Sequence, residues 1–174
     1  MILRKLHQIN KGQRGFSLIE MILVIAITGF IAFGAASATA QVMTQAPRNA
    51  DFNAASSQVV NTIHWISRDA QMAQTVETEG ESGFPLTLSW TEWDNSTYQV
   101  VYTLDNNAFQ RSLSVDGGEP TVNFISEYIS EDAELTNCSH SDGILTLRIT
   151  AAMGEGIHAV QVSRRREIAP RPGI

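Results

Sequence analysis

Gly15-Phe16-Ser17-Leu18-Ile19-Glu20 opens the stretch that decides this chain, and residues 21–40, MILVIAITGFIAFGAASATA, extend it for twenty positions without a charge. A helix rises about 1.5 Å per residue, so twenty residues cover the roughly 30 Å hydrocarbon core of a bilayer. Ahead of this stretch stand Arg4, Lys5, Lys11 and Arg14 and no acidic residue. Cationic flanks stay on the cytoplasmic side, which places residues 1–14 in the cytoplasm and everything after about residue 41 outside.

A basic start followed by an apolar run has several explanations. A secretory signal peptide would be cut after the apolar region, and Ala36-Ser37-Ala38 and Ala38-Thr39-Ala40 fit its small-residue site. A plain signal anchor would be left uncut. Neither accounts for Glu20, a carboxylate placed among apolar residues. Such a group costs a few kcal/mol on insertion scales and usually has a functional partner.

The hexapeptide Gly15-Phe16-Ser17-Leu18-Ile19-Glu20, with its basic leader and apolar helix, resembles the cleavage site of type IV prepilins and type II secretion pseudopilins. The resemblance implies that a prepilin peptidase cuts between Gly15 and Phe16 on the cytoplasmic side. It also implies N-methylation of Phe16 and retention of the apolar helix. Glu20 would then be the assembly residue, pairing in the filament with the N-terminal ammonium of a neighbouring subunit. A buried pair of that kind sets register more than it adds stability. The implied partners are the peptidase, other pilin or pseudopilin subunits, an inner-membrane assembly platform and the lipid bilayer. The implied location is the inner membrane, single-pass with the N-terminus cytoplasmic, and then a periplasmic or extracellular filament. Gly29 and Gly34 stand where the family often loosens its helix, and packing of helices through small residues explains them equally well. Ser37 stands where many major pilins have proline.

After the membrane segment, Val59, Ile63, Ile66, Ala70 and Ala73 recur at helical spacing, widened by Trp65 and Met72. Asn61, His64, Arg68, Asp69 and Gln71 form the expected polar side. Pro47 predicts a kink or short break. Residues 78–83 form a polar linker, after which the period falls from 3.6 to 2. Leu86, Leu88 and Trp90, then Tyr98, Val100, Tyr102 and Leu104, then Phe109, Arg111, Leu113 and Val115 read as a three-strand meander. Asp94-Asn95-Ser96 and Asn106-Asn107 supply its turns, and Asp116-Gly117-Gly118 ends it. Residues 122–125, 144–150 and 157–163 are further strands, 126–137 is ambiguous, and 164–174 is an extended tail. The predicted class is α+β and pilin-like, a long N-terminal helix packed on an antiparallel sheet, its first half embedded in membrane. The predicted division is 1–15 leader, 16–41 transmembrane and assembly helix, 42–77 amphipathic helix, and 78–174 β-rich domain.

Charge and motif content narrow the function further. The chain carries 12 cations and 18 acids, a net charge of −6. Without the four leader cations the remainder stands at −6 − 4 = −10, which argues against general affinity for nucleic acid. One cysteine, Cys138, excludes an internal disulfide. No G-x-S-x-G, H-E-x-x-H, C-x-x-C or phosphate loop occurs, so neither an enzyme nor a bound cofactor or metal is expected. His7, His64, His140 and His158 lack metal-ligand spacing, and Cys138-Ser139-His140 are neighbours in a turn that seldom face one site. Asp116, Glu119, Glu131 and Asp132 could bind calcium or be solvated acids. Asn95-Ser96-Thr97 and Asn137-Cys138-Ser139 match glycosylation sequons by chance. Arg164-Arg165-Arg166 with Arg171 is a solvated strand end, a partner for acids such as Glu77, Glu79 and Glu81 of another subunit, or a contact for an anionic surface or DNA. Trp90 and Trp93 fall on opposite strand faces, one of them core.

Residues 65–73, 86–90 and 98–104, followed by Arg111, resemble the minor J and W types, which implies a minor subunit. A major pilin, a DNA-uptake pseudopilin and a membrane-tethered extracytoplasmic binding module are the alternatives.

Overall fold

The computed structural model describes residues 15–154, 156 and 159–171. Most of the leader, with Arg4, Lys5, His7, Lys11 and Arg14, lies outside the described residues, as do Ile157, His158 and Pro172. The architecture is α+β, one long N-terminal helix followed by antiparallel strands. Two compact units divide the chain, Met1–Thr44 and Gln45–Ile174. Helix α1, Leu18–Met72, begins in the first and ends in the second.

α1 runs without a break through Pro47, contrary to the interruption considered from sequence. A proline forfeits one hydrogen bond and crowds the carbonyl four residues earlier. The turns on both sides carry the helix past that loss. α1 then stops at Met72 rather than near 77, with the Ala73 amide still bonded to the Asp69 carbonyl at 3.1 Å. Thr75–Thr78 turns away as strand β1, which pairs with β2, Leu86–Thr91. β1 has a single apolar side chain, Val76, so no alternation announces it.

The meander predicted from alternation is present as β2, β3 (Thr97–Asp105) and β4 (Ala108–Val115). β5, Thr121–Ser126, completes a five-stranded antiparallel sheet in the order β1-β2-β3-β4-β5. Asn106 and Asn107 both have positive φ, 50° and 59°, between the paired residues Asp105 and Ala108. That is the two-residue hairpin turn whose twist matches its flanking strands. Trp93 occupies the β2–β3 turn and is 92% exposed, while Trp90 on β2 is buried and stacks on Tyr98 at 5.4 Å.

The single predicted sheet is in fact two. β6 (Asn137–Ser141), β7 (Ile144–Met153) and β8 (Val160–Ile168) form a second, three-stranded antiparallel sheet. β6 starts at the last residue of the ambiguous stretch and takes in Cys138-Ser139-His140, which were expected in a turn; its one buried side chain, Cys138, left no pattern. β8 continues to Ile168, so Arg164-Arg165-Arg166 lies within a strand rather than in a tail.

The helical stripe Val59, Ile63, Ile66, Ala70 and Ala73 is buried as predicted, joined by Ala55. It shares one core with Leu86, Leu88, Val100, Tyr102 and Phe109 of the first sheet and Leu145, Leu147 and Ile149 of the second. Each fully buried aliphatic or phenyl side chain contributes about 1.5–3 kcal/mol by leaving water. Gly83 joins the two sheets: its φ is +77°, and a Cβ there would stand 2.0 Å from the Cys138 carbonyl oxygen. Only glycine permits that approach. The Cys138 thiol donates to the Gly83 carbonyl at 2.8 Å, and the Cys138 amide donates to the Ser82 carbonyl at 2.8 Å.

Candidate functional site

The first unit presents its functional surface directly. Within α1 an eighteen-residue window of mean hydropathy 2.3 is 0% buried, and large apolar side chains from Phe16 to Met43 stand exposed. A soluble protein rarely leaves such a continuous apolar face open, because each exposed side chain orders or displaces water at a cost. Lipid or other helices would remove that cost. The polar atoms on this face are arranged for the same environment. Thr28, Ser37 and Thr39 each donate a hydroxyl to the carbonyl four residues earlier, at 2.7, 2.8 and 2.9 Å. A hydroxyl that satisfies itself on its own helix can enter hydrocarbon without an unpaired donor. Gly29 and Gly34 leave open space where a Cβ would stand, giving the helix two notches.

Gly15, Phe16 and Ser17 precede the helix in irregular backbone, and Phe16 is 76% exposed. Glu20 lies in the first turn of α1, where the unpaired amides make the helix end partly positive. Among the described residues no cation pairs with it.

The second unit contains a buried ionic cluster that residue types alone concealed. Asp69, placed on the polar side by its charge, is instead 1% exposed. It lies three residues after Ile66 and four before Ala73, so it belongs to the buried stripe, and that arithmetic was the signal that could have found it. Arg111 of β4 donates through Nε to Asp69 Oδ2 at 2.6 Å, and the Tyr102 hydroxyl of β3 donates to the same oxygen at 2.6 Å. Arg68 reaches Asp69 Oδ1 at 3.2 Å from the half-exposed side and lies 4.2 Å over the Trp65 ring, and Arg111 stands 5.4 Å from that ring. Burial pulls the Arg111 pKa down, but the Asp69 hydrogen bond and charge outweigh it and the net movement is upward. Burial first, and then the adjacent carboxylate, drives the Tyr102 phenol well above its ordinary value. The cluster therefore stays charged on Arg111 and protonated on Tyr102, and it fixes the helix end to the first sheet.

The remaining sequence candidates do not converge. Cys138 is buried, and burial pushes its thiol up to about 12. His140, two positions further along β6, is exposed. Asp116 accepts the Thr97 amide at 2.8 Å, Glu131 the Asn107 amide at 2.7 Å, and Asp132 the Glu134 amide at 2.9 Å, so these carboxylates brace separate turns. Among the described residues no group of three or more His, Cys, Asp or Glu is placed to hold a metal ion.

Residues 10–36 match the family model described as the prokaryotic N-terminal methylation motif. Neither the curated proteins nor the solved structures yield a match. The matched segment takes in Gly15, Phe16 and Glu20 and the first half of the exposed apolar helix, so the methylation motif of prepilins lies on a helix apolar enough to cross a membrane. That supports a subunit of pilin or pseudopilin type.

Proposed function

We propose that this chain is a structural subunit of a type IV pilus or type II secretion-like pseudopilus, cut between Gly15 and Phe16, methylated on Phe16 and assembled through its N-terminal helix. The observation that carries the reading is a methylation motif on a helix whose apolar window stands exposed among the described residues. Before assembly, lipid covers that face, with the basic leader cytoplasmic and the β-rich unit outside. In the filament, helices of other subunits replace the lipid. Glu20 then meets the N-terminal ammonium of a neighbour, because neither charge can stay unpaired away from water. Mass spectrometry of chain recovered from bacterial membranes tests this. The expected N-terminus is N-methyl-Phe16; a chain starting at Met1, or one starting after Ala40, refutes it.

Within that class the proposal is a minor subunit in contact with other minor subunits. Cys138 is alone and held by Gly83, so the C-terminal region has no disulfide of the kind that closes many bulk pilins. Of the charged helix end, Asp69 is turned inward by Arg111 and also engages Arg68, so the β8 residues Arg164 and Arg166 are the cations left for contacts between subunits. Quantifying subunits in purified filaments decides it: a chain that makes up most of the mass is a major pilin.

A further inference from the structure

After the leader the chain has eight cations against 18 acids, and four of those eight, Arg68 and Arg164 to Arg166, line one open groove of about 400 Å³ between α1 and β8. Its floor is apolar, formed by Val60 and Ile63. Ser67 also lines it. That residue is only 5% exposed, yet its Oγ has no hydrogen-bond partner. A buried hydroxyl without a partner is uncommon and costly, and Ser67 borders this groove.

The position of the groove specifies the shape of what it would take. β8 is the end strand of its sheet, paired to β7 along one edge only. Successive residues of a strand point to opposite faces. Arg164, Arg165 and Arg166 can all border one groove only if it opens along the strand's free edge. That edge offers a row of backbone donors and acceptors, the template for an added strand. The side chains specify the charge. Arg68 is engaged by Asp69 at 3.2 Å and Arg165 by Glu167 at 3.0 Å. Arg164 reaches only Ser56 Oγ, at 3.5 Å, and among the described residues no carboxylate lies within 4.0 Å of either Arg164 or Arg166. These two cations, two positions apart on one strand face, match acids two positions apart on an extended partner.

We infer that the groove between α1 and β8 accepts an extended acidic polypeptide segment of a neighbouring subunit, added as a strand along β8 with its carboxylates on Arg164 and Arg166 and a polar group on Ser67. That the neighbour is a filament subunit rests on the proposed function; the chemistry of the groove does not. Apolar flooring and a sheet edge suit a polypeptide, whereas a phosphate polymer needs neither.

The test uses the full chain, purified from membranes in detergent micelles, and a fluorescent peptide alternating Glu and Val, about the length of the nine-residue β8. Anisotropy is compared with peptides in which Gln replaces Glu, or Pro replaces every second Val to remove strand donors, and with single-stranded DNA. The Glu peptide binds best. Arg164→Gln with Arg166→Gln, both exposed positions that fold, abolishes its advantage over the Gln peptide, a loss of about tenfold for two charge-assisted contacts. Ser67→Ala weakens binding about threefold without lowering the melting temperature, since it deletes a hydroxyl that has no partner. Equal affinity for the Glu, Gln and Pro peptides, unchanged affinity in the double variant, or preference for DNA over the Glu peptide overturns the inference. The Phe16 terminus of the same sample is determined by mass. A methylated chain that ignores the peptide refutes the groove alone, and an unmethylated chain that binds it refutes the filament reading alone.

Discussion

Asp69→Asn keeps the shape of the side chain and removes its charge, which isolates the contribution of the buried ion pair. The Asp69 side chain is 2% exposed and that of Arg111 is 7%, with Nε and Oδ2 2.6 Å apart. Removing one member of such a pair leaves the other charge buried and uncompensated, at a cost of about 3–5 kcal/mol. Asparagine still accepts from the Tyr102 hydroxyl, and Arg111 keeps the cation–π contact with Trp65 that it already has, which puts the loss at the lower end of that range. The net expectation is a loss of about 3 kcal/mol. Against a total stability of about 5–15 kcal/mol that is a large fraction. It lowers the melting temperature by roughly 10 °C. Thermal and guanidinium unfolding of the full chain in detergent, followed by tryptophan fluorescence, measures it. Replacing the whole cluster with Asp69→Leu, Arg111→Met and Tyr102→Phe removes every polar group that needs another. That variant unfolds within about 1 kcal/mol of the parent, because apolar residues commonly replace a buried ion pair without loss. A loss below about 1 kcal/mol for Asp69→Asn, or a triple variant as weak as the single one, refutes the account of this cluster.

Gly15→Val blocks processing, since a branched side chain before the cut obstructs the peptidase; immunoblots of membranes show only the full-length, unmethylated precursor, and normal maturation contradicts the assignment of the site. Glu20→Ala makes the helix more apolar, so insertion and cleavage proceed while recovery in sheared filaments falls; recovery equal to the parent removes the charge-pairing role. Cys138, raised from 9.0 to about 12 by burial, stays a protonated thiol in the folded chain, so at pH 8 iodoacetamide labels it far more slowly than in guanidinium. The unfolded thiol ionises first, so this contribution to stability is complete below pH 9 and is lost as pH rises toward 12. Labelling of native chain at the denatured rate, or a melting temperature flat across that interval, counts against the burial of Cys138.

The sequence alone carried the reading of the first forty residues, because everything that matters there is local. A basic start, a Gly-Phe junction, one carboxylate and twenty uncharged residues are contiguous, and their consequence for a bilayer follows from composition and helical rise. It likewise determined the α1 stripe from Val59 to Ala73 and the strands β2 to β4, where the period of burial, 3.6 or 2, is written in neighbouring residues. Tertiary structure alone decided the division into two sheets, since β1 and β6 are short, polar strands held by partners rather than by an alternation of their own. Gly83 and Cys138 illustrate the same limit: they are 55 positions apart, and only their packing makes a side chain at 83 impossible. The charged positions show it most plainly. Asp69, Tyr102 and Arg111 meet across separations of 33 and 42 residues, and although their spacing falls on buried periods, the charges of Asp69 and Arg111 by themselves point to the surface. Burial of a charge depends on a partner arriving from another element, and that arrival is a property of the fold rather than of any stretch of sequence.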